Sequence, residues 1–220
     1  MYSFLEKGVE GFIVVPCSGT VRTLQHVLDV GIPCVVLDRI NEQFSAPMIV
    51  LDNESAMKSA VDILLDKGVG DIEMISYTMR ATSIKGRENG FVARMKERGV
   101  PDDQIRIHRI QFGRIDDGID ELIPSIVGRN VKGLVFATNA LAIASIRKLS
   151  SLGVGIQKDI HLVGFDNSDV YDLFNPPIPH IGQPLDKICQ EAFTCLKKLM
   201  EHEMAQEAKI IMLDGEIRNV

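Results

Sequence analysis

The residues best suited to chemistry in this chain stand at the ends of apolar runs. Residues 160–167, IHLVGFDN, pass through apolar and β-forming side chains and stop on Asp166 and Asn167, as a buried strand does on reaching a polar edge. In open α/β sheets a ligand sits beyond the carboxyl ends of the strands, which aims Asp166 at whatever is bound. The run 34–37 ends likewise on Asp38-Arg39, 72–76 on Tyr77, Thr78 and Arg80, and 133–137 on Thr138-Asn139. Arg87, within SIKGRENGF over 83–91, falls in the first turns of a predicted helix, where a cation opposes the helix dipole. Its planar fork of donors suits two vicinal hydroxyls or a carboxylate. Carboxylates, amides and one guanidinium hold polar groups by hydrogen bonds. No nucleophile elbow, paired acid and base, phosphate loop or metal-ligand spacing accompanies them, and the 5 histidines are scattered. The chain therefore reads as a binding protein, not an enzyme, with no cofactor and no metal.

Each of these residues also has a plainer reading. Asp38 pairs with Arg39 in solvent as readily as it faces a ligand. Arg87, taken alone, is more simply a solvated arginine. Tyr77 and Phe112 can stack on a ring, but core packing is the commoner duty of either. Asp52-Asn53 reads as a helix cap and hinge, with Asn53 as the N-cap. His161 and His180 flank the Asp166 stretch and read as ordinary strand and loop residues in preference to a metal pair.

The elements that must position these residues alternate along the chain. A strand over 9–15 is followed by a helix capped by Thr20, with Val21, Leu24, Val27 and Leu28 on one face, then by strands over 34–37 and 48–51. Helical stripes at Met57/Val61/Leu64, Ile84/Phe91/Met95, Ile115/Ile119/Ile126 and Leu141/Ile146/Leu149 then separate strands over 72–76, 105–112, 133–137 and 160–165. Pro176, Pro177 and Pro179 exclude a helix and predict a stiff extended crossing between lobes, with Pro184 as the first residue of a long amphipathic helix. Residues 210–213 and 215–220 read as a closing hairpin. Strands alternating with helices predict an α/β fold of parallel sheets flanked by helices. The crossings predict two lobes with a cleft, on which Asp38, Arg87, Asn139, Asp166 and Gln183 converge.

Composition sets outer bounds. The chain has 220 residues, of which 45% are hydrophobic, ample for a core. A net charge of -6 argues against this chain holding nucleic acid by itself, since phosphate contacts need a surplus of Lys and Arg. No apolar run approaches the ~20 residues of a membrane helix, and the first residues form no signal peptide. Cys17, Cys34, Cys189 and Cys195 show no CxxC pairing and read as reduced core thiols of a cytoplasmic protein.

Three stretches carry a resemblance. GVEGFIVVP over 8–16, SIKGRENGF over 83–91 and VGFDNSDVYDLFNPPIPHIGQP over 163–184 resemble segments of the LacI/GalR family of transcriptional regulators, whose effector-binding core is similar to the periplasmic sugar-binding proteins. The likeness extends from Gly8 to Val220. It implies a two-lobed periplasmic-binding-protein-like fold of type I, with residues 1–51 plus 179–203 in the N-terminal lobe and 52–178 plus 204–220 in the C-terminal lobe. It also reverses the plain reading of Arg87. Asp38 and Asp166 would accept from sugar hydroxyls, Arg87 would donate, and Asn139 and Gln183 would do both. Asp52, Asn53, Pro177 and Pro179 would mark crossings. The family usually has Asn-Asp where this chain has Asn139-Ala140, so one polar contact is lost and the effector cannot be carried over from better-known relatives.

The implied function is binding of a small-molecule effector, a sugar or related polar metabolite, by a homodimeric cytoplasmic regulator. Lobe closure would control a DNA-binding headpiece. On the resemblance this chain lacks that headpiece and the first strand, helix and strand of its N-terminal lobe, and DNA would be reached only through the headpiece. The alternative is a sugar-binding receptor of a transport system, against which the absence of any Trp for ring stacking tells mildly.

Overall fold

The computed structural model describes residues 4, 6–17, 19–41, 43–79 and 81–219. The Arg80 expected at a strand tip, and the predicted strand's last residue, Val220, lie outside the described residues. The chain divides into two compact units, Met1–Leu51 with Pro184–Leu213 and Asp52–Gln183 with Asp214–Val220.

The first unit is built on the parallel sheet β1-β2-β3-β9, formed by β1 (Phe12–Val14), β2 (Cys34–Leu37), β3 (Pro47–Leu51) and β9 (Lys209–Leu213). Alternation along β2 explains its two faces. Cys34 and Val36 join Leu24 of α1 (Val21–Asp29), with Phe44 and Met48, on one side. Val35 and Ile49 join Ala192, Cys195 and Leu199 of α6 (Leu185–Met200) on the other. Thr20 does not cap α1 through its side chain; its hydroxyl turns back to donate to the Cys17 carbonyl at 2.9 Å. Cys34 and Cys195 are buried, and burial pushes the Cys34 thiol up to about 12. Cys17 and Cys189 are exposed, contrary to the reading of all four as core.

The second unit carries the sheet β10-β8-β7-β6-β4-β5, parallel except for β10 (Glu216–Arg218) against β8 (His180–Gly182). Its centre comprises β4 (Ile72–Tyr77), β6 (Gly133–Phe136) and β7 (His161–Phe165), with β5 (Arg106–Ile110) at the edge. Every residue of β4 and β6 is buried, as expected of parallel strands covered on both faces. Around them lie α2 (Asn53–Asp66), α3 (Thr82–Glu97), α4 (Ile115–Gly128) and α5 (Asn139–Ser151).

Two expectations fail here for identifiable reasons. Residues 209–218 form no hairpin: β9 runs parallel to β3 in the first unit, while β10 pairs antiparallel with β8 in the second. Asp214-Gly215 is thus a passage between units, and a Cβ at 215 would meet the Ile181 side chain at 2.7 Å. Apolar alternation fixes which side chains face a core; it does not fix which strand is the neighbour. The crossing after β8 falls at Gln183/Pro184, not at Pro177 or Pro179. Those two prolines stay within the second unit, where the Pro179 carbonyl accepts from Gly164 at 2.8 Å. The boundaries after 178 and 203 expected from sequence therefore move to 183 and 213.

At the start of β4, Glu73 is 1% exposed. Its carboxylate receives Arg129 Nη2 at 2.7 Å, Arg106 Nη1 at 3.2 Å and the His108 ring at 2.7 Å. A carboxylate this deep is tolerated only with such partners.

Candidate functional site

The second unit gathers its polar tips at one end of its sheet. Tyr77 ends β4, Thr138 and Asn139 follow β6, Asp166 follows β7, and Gln183 follows β8, all at carboxyl ends of strands as the strand-tip reading requires.

Arg87 is positioned by helix packing. A Cβ at Gly90 would lie 2.3 Å from the Glu54 carbonyl oxygen, and one at Gly86 would lie 3.0 Å from the Asn53 Cβ. Glycine at both positions lets α3 come down onto the first turn of α2. Arg87, between them, is consequently only 3% exposed. Its Nε donates to Asn53 Oδ1 at 2.8 Å, Nη1 donates to the Ala137 carbonyl, and Nη2 stands 3.8 Å from Asp166 Oδ1. The guanidinium lies over the Phe165 ring, 3.8 Å from its centroid, a geometry that favours a planar cation. The solvated reading of Arg87 is thereby excluded, and the spacing Ser83-x-x-x-Arg87-x-x-Gly90-Phe91 acquires a physical account.

Asp166 is the hub. It adopts φ 63°, a left-handed conformation that Asp tolerates better than most residues. Oδ1 accepts from Gln183 Nε2 at 2.7 Å, and Oδ2 accepts from the Asn139 main-chain N–H at 3.4 Å. That N–H opens α5, where the helix dipole favours an anion. Asp166 is half-buried, so its carboxylate can still be approached. Beside it, Thr138 Oγ1 donates to Tyr77 Oη at 3.3 Å and does not cap α5. Phe112 stands edge-on to Tyr77, ring centroids 5.6 Å apart, and at 64% exposure it is not core.

The second unit thus brings together Arg87, the start of α5 at Asn139, Asp166 and Gln183, with Tyr77 and Phe112 paired nearby. Asn53, expected as the N-cap of α2, is its first helical residue. The cap is Asp52, whose Oδ1 accepts from the Ser55 N–H at 2.9 Å. Asn53 serves Arg87 instead. Its role, the Phe165 platform and the Ala137 carbonyl were missed in the sequence; the two glycines around Arg87 were the available sign. Asp38 belongs to the first unit, at the end of β2, with φ 60° and an ion pair to Arg39 at 2.6 Å. His161 and His180 engage separate groups, Gln157 and the Ile178 carbonyl, and burial lowers the pKa of both.

Comparison with known proteins identifies the family and the fold. The sequence profile of the periplasmic binding protein-like domain matches residues 61–218. The regulator MalR of Streptomyces coelicolor is 25% identical over 199 residues, covering 87% of this chain and 58% of that protein. The repressor PurR of Vibrio parahaemolyticus is 27% identical over 217 residues, covering 96% and 64%. This chain spans about three-fifths of the length of these relatives. Among solved structures, a LacI family regulator from Enterococcus faecium with bound ribose superposes with a TM-score of 0.85 at 20% identity, over 98% of this chain and 80% of that one. The regulator CelR in complex with cellobiose gives 0.82 at 20% identity, over 98% and 66%. The chain belongs to the periplasmic binding protein-like domain family.

Proposed function

We propose that this chain binds a small polar effector, a sugar or related metabolite, as the effector-binding and dimerisation part of a cytoplasmic LacI/GalR-like regulator. DNA is reached through a headpiece outside this chain, and ligand occupancy controls it. The observation that carries this reading is the cluster of Asp166, Gln183 and Arg87 at the strand ends of the second unit. A carboxylate that can be approached beside an amide and a buried guanidinium offers acceptors and donors together, which is what a polyol needs. Each hydrogen bond to such a ligand is worth about 0.5–1.5 kcal/mol net, so several support micromolar binding. Phe112, edge-on to the buried Tyr77, supplies a ring surface, and Asp38 remains a further ligand contact in this reading. The relatives are named as transcriptional regulators, and binding is the activity we propose.

Thermal unfolding in the presence of ribose, cellobiose, other mono- and disaccharides, uronic acids and purines tests this. A ligand at 100 times its Kd adds about 2.7 kcal/mol of stability. One compound is expected to raise the Tm of the wild type and leave Asp166→Ala unshifted. A shift that survives in Asp166→Ala, or no shift across the panel, counts against the site.

A further inference from the structure

Gln183 is the last residue of the second unit before the chain passes to the first at Pro184. It is gripped twice by consecutive residues. Its side-chain Nε2 donates to Asp166 Oδ1 at 2.7 Å, and its main-chain carbonyl accepts from Asn167 Nδ2 at 3.4 Å. Asn167 Oδ1 is itself buried with no donor among the described residues. A buried acceptor without a donor is rare and calls for a reason. Space explains the placement: Oδ1 occupies the place where a Cβ at residue 182 would stand, 2.3 Å away, so only glycine at 182 admits it. Gly182 itself is fixed in β8 opposite Glu216 of β10.

We propose that Asn167 is a positioning residue. It anchors the Gln183 main chain so that the Gln183 amide closes on Asp166, tying the ligand-site carboxylate to the residue at which the chain leaves the second unit. The proposal rests on the reading of Asp166 as a ligand contact. A ligand hydroxyl donating to Asp166 Oδ1 competes with the Gln183 amide. Occupancy at Asp166 is therefore exchanged for release of the Gln183 side chain. Asn167 keeps the exchange local, because its bond to the main chain persists when the side-chain amide is released.

The test needs no ligand. In nitrogen-proton correlation spectra of the free chain, the Gln183 side-chain NH2 pair is expected away from the position of exposed glutamines. In Asn167→Ala the side-chain pair is expected to move to the exposed position. Asn167→Asp is the isosteric second variant. Its oxygen in place of Nδ2 cannot donate to the Gln183 carbonyl, and the same change in the Gln183 side-chain pair is expected. Unchanged Gln183 resonances in Asn167→Asp overturn the proposal, even if a sugar still binds at Asp166. A failed ligand panel with Gln183 responding as described overturns the effector assignment instead.

Discussion

Replacing Arg87 by alanine is expected to lower the unfolding free energy of this chain by about 3–5 kcal/mol, the usual cost of removing one partner of a buried ion pair. The side chain is 4% exposed and bonded to Asn53, Ala137 and the Phe165 face, with Asp166 at 3.8 Å. Its loss removes the guanidinium bonds to the Asn53 carboxamide and the buried Ala137 carbonyl, and leaves a void above Phe165. Arg87→Lys is expected to recover only part of the loss, because an ammonium cannot donate along three directions in one plane or lie flat on a ring. Urea titration of the two variants measures this. A loss below about 1 kcal/mol for Arg87→Ala would show that the contacts around it are incidental.

Acid is expected to destabilise the chain in two steps. Burial raises the Glu73 carboxyl, but the hydrogen bond and charge of His108, with Arg106 and Arg129, outweigh it and hold the group below its ordinary value. A folded value below the unfolded one, near 4.3, gives a contribution present in full above about pH 4.3. That contribution is lost as pH falls through the folded value. His161 and His180, lowered chiefly by burial, act earlier. The unfolded chain binds their protons from about pH 6.5 downward while the folded one does not, so stability declines below that pH. Glu73→Gln is expected to cost about 3–5 kcal/mol at pH 7, where it leaves three cationic or donor groups around a neutral amide. It should also flatten the lower step and leave the upper one. A wild-type profile in Glu73→Gln contradicts the assignment.

Legibility in the sequence followed physical range. Strand tips at Asp38, Asn139 and Asp166 could be read because an apolar run ending on a polar residue is a local signal. Arg87 could not be placed by its own neighbours. It is buried by the contact of α3 with α2, a partner 34 residues away in sequence, and only the resemblance pointed to it. Gly86 and Gly90, spaced one helical turn apart, held that information in a form that needs the partner helix to be known. The false hairpin over 209–218 and the misplaced proline crossing share one cause. Alternation and stiffness describe a segment, whereas its sheet is chosen by distant strands, β3 for one and β8 for the other. Asp52 displaced Asn53 as the cap because both are good caps and Arg87 claimed the second.

The most direct test of the account is to locate the ligand by nitrogen-proton correlation spectra of the chain titrated with ribose and with cellobiose, the sugars held by two structural relatives. Perturbed main-chain amides are expected to cluster at Thr138 to Ala140, Phe165 to Asn167 and Gly182 to Gln183, together with the side-chain resonances of Gln183, and to be absent in Asp166→Ala. Perturbations centred elsewhere, such as the groove lined by Arg109, Arg114 and Glu121, or surviving unchanged in Asp166→Ala, would contradict the assignment of Asp166 as the ligand contact.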